Sequence, residues 1–327
     1  MFAIRQYEFG SSETLRYESV PDPVPGQGQV RIAVAAAGVH LVDATIRRGT
    51  GSGPFSPPEL PMTPGREVAG VVDRIGDEVD QSWLGKRVVA HLGMASGGYA
   101  EMAVREVDAV HEIPDGVSDA EAVAMIGTGR TTVGVLDTAP PQADDVIVVT
   151  AAAGGIGNLL VQAARQVGAT VVGVAGGPAK VDQVRALAPE VIAVDYRDDD
   201  WPQQVRDELA GREVTMVFDG VGGRLGRAAF DLLGIGGKLV MFGWSEGEPI
   251  QLSATDLFER YLTVAVTLGP TIMRRPGGLR ALEAESLRQV GERRLVPITQ
   301  SFPLSEAGKA QQALESRETV GKVVLIP

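Results

Sequence analysis

The sequence predicts an α/β protein in which a β-rich domain, split between the two chain ends, surrounds a doubly wound domain with a six-stranded parallel sheet. Three observations predict it. The first third of the 327 residues alternates short β-branched runs with Gly and Pro punctuation, as a mostly antiparallel region does. From about Asp144, short apolar runs alternate with helical stretches, the pattern of a parallel sheet wound with crossovers on both faces. After Leu268 the character turns mixed again. The length exceeds what one core fills, so two domains are expected, one from residues 1–120 and 265–327 and one from residues 121–264.

Within the first domain, Val30 to Ala35, Val68 to Ile75, Arg87 to Ala90 and Tyr99 to Val104 read as strands, and Pro61 and Pro64 mark loops. The parallel sheet takes Val146 to Thr150, Thr170 to Val174, Val191 to Val194, Val214 to Phe218, Lys238 to Phe242 and Leu262 to Val266. Helices are expected around Leu279 to Val290 and Ser305 to Leu314, with Gly321 to Ile326 as a closing strand.

Composition narrows the function. A net charge of −12, with no block of Lys or Arg to act as a basic arm, argues against a nucleic-acid partner. The N-terminus MFAIRQYEFG has no apolar leader core, and no stretch of about 18 uncharged apolar residues occurs, so neither secretion nor a membrane span is expected and the cytoplasm is the expected location. Without Cys there is no disulfide, thiolate nucleophile or Cys-based zinc site, and His40, His91 and His111 lack metal-binding spacing, so no metal is expected.

The strongest motif follows the run Val146 to Thr150. Ala151 to Gly157, Ala-Ala-Ala-Gly-Gly-Ile-Gly, opens the helical pattern Asn158 to Val167, the order and context of a dinucleotide fingerprint. Gly154 stands where bare backbone approaches a pyrophosphate and Gly157 where helix and strand pack closely, while Ala152 replaces the first Gly. The helix N-terminus then offers unpaired N–H groups and a positive dipole end. At the end of the second run, Val174-Ala-Gly-Gly-Pro178 carries no acid to bond a ribose 2′-hydroxyl; Lys180 follows, and Tyr196-Arg197 comes after the third run. NADPH is therefore favoured over NADH, with a solvated helix-start role as the alternative for Lys180.

These residues carry a resemblance over essentially the whole chain. Gly38-Val39 through Asp43, Pro64 to Gly70, Gly97 to Glu101, Ile113 to Val117, Ala151 to Gly157, Phe218 to Gly223 and Gly321 to Leu325 are similar to the zinc-independent quinone oxidoreductase branch of the medium-chain dehydrogenase/reductase superfamily. The resemblance implies a GroES-like catalytic domain, a Rossmann domain, NADPH held between them, and a homodimer. It implies phosphate-turn contacts from Ala153, Gly154, Gly155, Ile156 and Gly157, and adenosine-side contacts from Gly176, Lys180 and Tyr196. Thr131, Val221, Phe242, Gly243, Trp244, Leu268, Gly269 and, in the closing motif, Lys322 are the remaining contacts along the cofactor that it implies.

Departures are equally informative. His40 stands where the family commonly has Asn, no Tyr occurs near Gly49 to Gly51, and Trp244 replaces an Asn. The chemistry implied is hydride transfer to a quinone or α,β-unsaturated carbonyl, followed by a proton from solvent or a general acid. His40 is the candidate proton donor, or else a hydrogen-bonding contact to ribose or backbone. Asp43 and Glu67 are expected to share a network beside Arg66, either catalytic or as a structural ion pair; His91 is expected in a surface loop, with a place lining the cleft as the alternative, and His111 in solvent. Two other functions stay open: a reductase dedicated to one metabolite enone or enoyl thioester, and a non-catalytic NADPH-binding protein.

Overall fold

Each strand run read from the sequence overlaps a strand of the computed structural model, which describes residues 1–50, 58–93, 96–267 and 276–327; the run at Tyr99 begins three residues before its strand. The strands are β1 (Phe2–Gln6), β2 (Leu15–Ser19), β3 (Gln29–Gly38), β4 (Glu67–Ile75), β5 (Arg87–His91), β6 (Met102–Glu106) and β7 (Val110–Glu112). The middle of the chain adds β8 (Val146–Val149), β9 (Thr170–Ala175), β10 (Ile192–Asp195), β11 (Val214–Asp219), β12 (Leu233–Met241) and β13 (Thr263–Val266). The C-terminal part returns with β14 (Thr299–Pro303) and β15 (Lys322–Ile326).

Residues 1–129 and 283–327 form one unit. Its main sheet has the order β14-β15-β3-β4-β5-β7, with β6 on β3, and β1 and β2 form a separate antiparallel pair. Period-two patterning builds it: along β3, Val30, Ile32 and Val34 enter the core while Arg31, Ala33 and Ala35 do not. Strand register also builds a site. Ala37 pairs with Val68 and Val324 with Gly38, so the end of β3 meets the starts of β4 and β15, while β5 sets His91 opposite Glu67.

Residues 130–282 form the second unit. All six strands are parallel, in the order β10-β9-β8-β11-β12-β13, so the winding direction reverses between β8 and β11. Central β8 is buried along its whole length, as a strand covered on both faces must be, while β13 at the sheet's end is only partly covered.

The unit boundaries fall after Gly129 and Leu282 rather than near 120 and 264. Helix packing, invisible to strand patterning, sets both. The helix Asp119–Ala124 lies against β3 and β4 and continues into a π turn, Met125–Gly129. In the helix Gly278–Gly291, Leu279 and Leu282 pack on Val133, whereas the Ser286 hydroxyl donates to the Met125 carbonyl at 2.8 Å. No helix among the described residues is long and apolar enough to cross a membrane.

Candidate active site

In the second unit the expected ligand-binding elements collect at the carboxyl ends of the strands, beside the winding reversal where open α/β sheets form a crevice. After β8 the chain turns through Ala151, at φ +48°, and Ala152 donates its N–H to the Val174 carbonyl at 3.0 Å. Ala152 is accommodated in place of a glycine because the facing residue is Gly173, where even one methyl would come within 3.0 Å of the Ala152 methyl. A methyl at Gly157 would sit 2.2 Å from the Ala151 carbonyl oxygen, so bare backbone is what lets the helix Gly155–Gln166 start so close to the strand. Ala153 is buried, Gly154, Gly155 and Ile156 are partly exposed, and the Asn158 amide donates to the carbonyls of Gly154 and Gly155. The first N–H groups of this helix form the expected anion-binding end.

The ends of β9 and β10 converge. A methyl at Gly176 would lie 2.4 Å from the Tyr196 hydroxyl, and one at Gly177 would lie 2.8 Å from the Arg197 guanidinium. Lys180 is the third residue of the helix Pro178–Arg185 and is partly buried. Sequence reasoning noted that β9 ends without an acid; it missed that β10 supplies one. Asp195 Oδ1 accepts from the N–H groups of Gly177 at 2.8 Å and Arg197 at 3.0 Å. The signal available was an Asp directly preceding Tyr196-Arg197.

At the end of β11, Asp219 is fully buried; its Oδ1 accepts from the Thr150 hydroxyl at 2.7 Å and the Val221 N–H at 3.1 Å, and its Oδ2 from the Gly222 N–H at 3.0 Å. Burial raises its carboxyl above the ordinary value, and these donors only partly offset that. Bare Gly220 lets Phe242 pack over it, and Gly222 lies against Trp244, which is 48% exposed. Val221 is buried, Gly243 is partly exposed, and Thr131 lies in the helix Arg130–Thr138. Leu268 and Gly269 lie outside the described residues.

In the first unit, register brings His40, Glu67 and Lys322 together. His40 precedes the helix Leu41–Arg47, and its N–H donates to Asp43 Oδ2 at 2.8 Å. Its Nε2 lies 2.6 Å from Glu67 Oε1 and 2.7 Å from Lys322 Nζ, and Lys322 Nζ is 2.8 Å from Glu67 Oε2. The Glu67 side chain is completely buried and that of Lys322 nearly so, while His40 retains 27% exposure. Each Glu67 oxygen is thus held at ion-pair distance by one of the two nitrogens. Burial pushes this carboxyl up, but the positive charge that the His40 and Lys322 nitrogens bring beside it overcomes that and holds Glu67 far below the usual range. Two glycines make the room: a methyl at Gly38 would be 2.1 Å from Glu67 Oε2, and one at Gly127, inside the π turn, 1.6 Å from Oε1.

Three expectations need correction. Asp43 forms the expected ion pair with Arg66, its Oδ1 lying 3.9 Å from Arg66 Nε while its Oδ2 accepts from the Tyr99 hydroxyl at 2.9 Å; Glu67 faces His40 and Lys322 instead, and His40 touches both carboxylates. The residues alternate sides because Arg66 and Glu67 are consecutive at the start of an extended strand. His91 is not in a surface loop; it ends β5, paired with Glu67, and its Nδ1 accepts from the Gly93 N–H at 3.0 Å. His111 is not solvated either, since its side chain is 9% exposed and its Nε2 is 3.1 Å from Glu283 Oε2 on the helix Gly278–Gly291.

Comparison with known proteins agrees with this architecture. Residues 26–115 match the family described as alcohol dehydrogenase GroES-like domain and residues 155–284 that described as zinc-binding dehydrogenase. The quinone oxidoreductase of Pseudomonas aeruginosa is 30% identical over 98% of this chain and 97% of its own length. The crystal structure of Escherichia coli quinone oxidoreductase complexed with NADPH superposes with a TM-score of 0.86 at 27% identity, covering 100% of both chains. An NAD-dependent alcohol dehydrogenase superposes with a TM-score of 0.88 at 28% identity, also over 100% of both chains. The donor set here does not fit the zinc in the second family description. Cys is absent, no group of three or more His, Asp or Glu among the described residues could hold an ion, and beside His40 and Glu67 stands the cationic Lys322.

Proposed function

The chain belongs to the quinone oxidoreductase branch of the medium-chain dehydrogenase/reductase superfamily, and from that premise we propose that it is a cytoplasmic, NADPH-dependent reductase of quinones or α,β-unsaturated carbonyls that works without zinc. The observation that carries the cofactor half is the end of β9, where bare Gly176 and Gly177 lie against the Tyr196 hydroxyl and the Arg197 guanidinium, with Lys180 one turn away. A 2′-phosphate suits those donors. The charge of Asp195, whose Oδ1 is engaged by two N–H groups, works against a 2′-phosphate, so Lys180 and Arg197 have to outweigh it.

When bound, NADPH supplies a hydride from its nicotinamide. The turn Ala153 to Gly157 would offer N–H groups to the pyrophosphate, and Val221, Phe242, Gly243, Trp244 and Thr131 would hold the rest of the cofactor. His40, partly exposed at one edge of its buried cluster, holds the proton that the substrate takes up once its carbonyl oxygen has become an enolate or quinol anion. Such delocalised anions need no Lewis acid, which suits a donor set poor in metal ligands.

Purified protein should oxidise NADPH with members of a quinone and enone panel. NADPH left intact by every member would overturn the reading, and tight binding without turnover would make the chain a cofactor-binding protein; C=C reduction confined to one narrow class would assign it to a dedicated metabolite. Lys180→Ala should weaken NADPH about 10- to 100-fold more than NADH, the worth of a charge-assisted hydrogen bond. Equal losses would remove Lys180 from the phosphate site. We also assign a homodimer to the β13 side of the second unit, where Phe258, Tyr261 and Val266 are 78%, 77% and 54% exposed; light scattering that finds a monomer would refute it.

A further inference from the structure

The contact between Lys322 and His40 has a consequence in proton counting. Nζ and Nε2 lie 2.7 Å apart, and Glu67 Oε1 lies 2.6 Å from the same Nε2. Two nitrogens that close cannot each point a hydrogen at the other, and two lone pairs would repel, so the line between them holds one proton. With that proton on Lys322, His40 accepts at Nε2 and a neutral ring carries its hydrogen on Nδ1. With it on His40, Lys322 is a neutral amine. Glu67 balances the positive charge in either place, being 2.6 Å from one nitrogen and 2.8 Å from the other.

We propose that Lys322 and His40 share one transferable proton beside Glu67, with Lys322 as the buried store from which the imidazole is recharged. This rests on the reading of His40 as proton donor. The step balances: the Nδ1–H bond of His40 breaks as the substrate anion gains its proton, the Nζ–H bond of Lys322 breaks, and an Nε2–H bond forms. The substrate becomes neutral, the cluster is left with the Glu67 charge, and a proton from water, reaching the exposed edge of His40, restores it. Several groups among the described residues face the pair. Glu67 comes from β4 and His91 from β5, where the Gly93 N–H on Nδ1 keeps His91 in its Nε2–H form; Gly127 presents only backbone, and Asp43 turns to the His40 N–H and Tyr99. Lys322 is thus given a role beyond the cofactor contact that the family resemblance implies.

The chain has only three histidines, so ¹⁵N spectra of histidine-labelled protein, assigned with His40→Asn, read this ring directly and without substrate. The expected result at neutral pH is the Nδ1–H tautomer of His40 in the wild type and an Nε2-protonated ring in Lys322→Met. The same tautomer in both would overturn the sharing. Lys322→Arg guards against a misfolded Met variant, because it keeps a cation near Glu67 that cannot release its proton. It should lower kcat by about 10- to 100-fold, within the range a general acid contributes, with NADPH affinity preserved. Weaker NADPH binding at unchanged kcat would show a cofactor contact only and refute the relay. Unchanged kcat in His40→Asn would instead remove His40 as donor, while the spectra still judge the sharing.

Discussion

Glu67 and Asp219 are both completely buried carboxylates, one in each unit, and their surroundings drive them in opposite directions. Glu67 faces two nitrogen bases that can carry charge, and its proton is held off far below the ordinary carboxyl range. Asp219 faces a hydroxyl and two backbone N–H groups, and burial raises it. Neutral dipoles fix the shape of a turn without cancelling the charge within it; cations cancel the charge and bring mobile protons with them. The first unit is therefore equipped to move protons and the second to present a rigid backbone.

The largest test of this contrast is Glu67→Gln. It strands a buried ammonium and should cost about 3–5 kcal/mol in urea denaturation; a loss below about 1 kcal/mol would show that charge does not hold the cluster. Gly127→Ala comes next, at about 3 kcal/mol, since its methyl would occupy the space of Glu67 Oε1. Asp219→Asn should cost about 2 kcal/mol, because an amide nitrogen cannot accept from the turn's N–H groups. Thr150→Val should cost about 1 kcal/mol through one hydrogen bond to Asp219.

Acid titration separates the two carboxylates by sign. Unfolded, Glu67 takes up a proton near its ordinary value of 4.5; folded, it resists until far lower pH, so its stabilisation is present above 4.5 and fades as pH falls. Asp219 works the other way: folded, it is raised above its ordinary 3.8, so its share is full below 3.8 and is lost as pH rises through the folded value. Melting temperatures followed down from neutral pH should give Glu67→Gln a flatter acid limb than the wild type and Asp219→Asn a steeper one.

What could be read beforehand divides along the same line. The turn Ala151 to Gly157 was recognisable because every feature it needs, strand, bare glycine and helix start, is contiguous, and its geometry follows from local sterics. The alternation of strands and helices was recognisable for the same reason. His40 and Lys322 stand 282 residues apart, and no periodicity connects them; only the pairing of β15 with β3 does. Asp195 is invisible from the end of β9 alone, because it belongs to the neighbouring strand and reaches the Gly177 N–H across the parallel ladder. His111 reads as solvated from the sequence because its partner Glu283 lies in the C-terminal part of the unit.

Trp244 has a practical consequence of another kind. Of the three tryptophans, Trp201 is 5% exposed and Trp83 sits under the Lys86 ammonium, 4.7 Å from its ring centre. Trp244, half in solvent and resting against Gly222 at the strand ends, is the indole best placed to respond to a ligand there. Where the family commonly has a silent amide, this chain carries a fluorophore, so occupancy of the second unit can be followed by emission alone, label-free and in real time, with Trp244→Phe as the dark control.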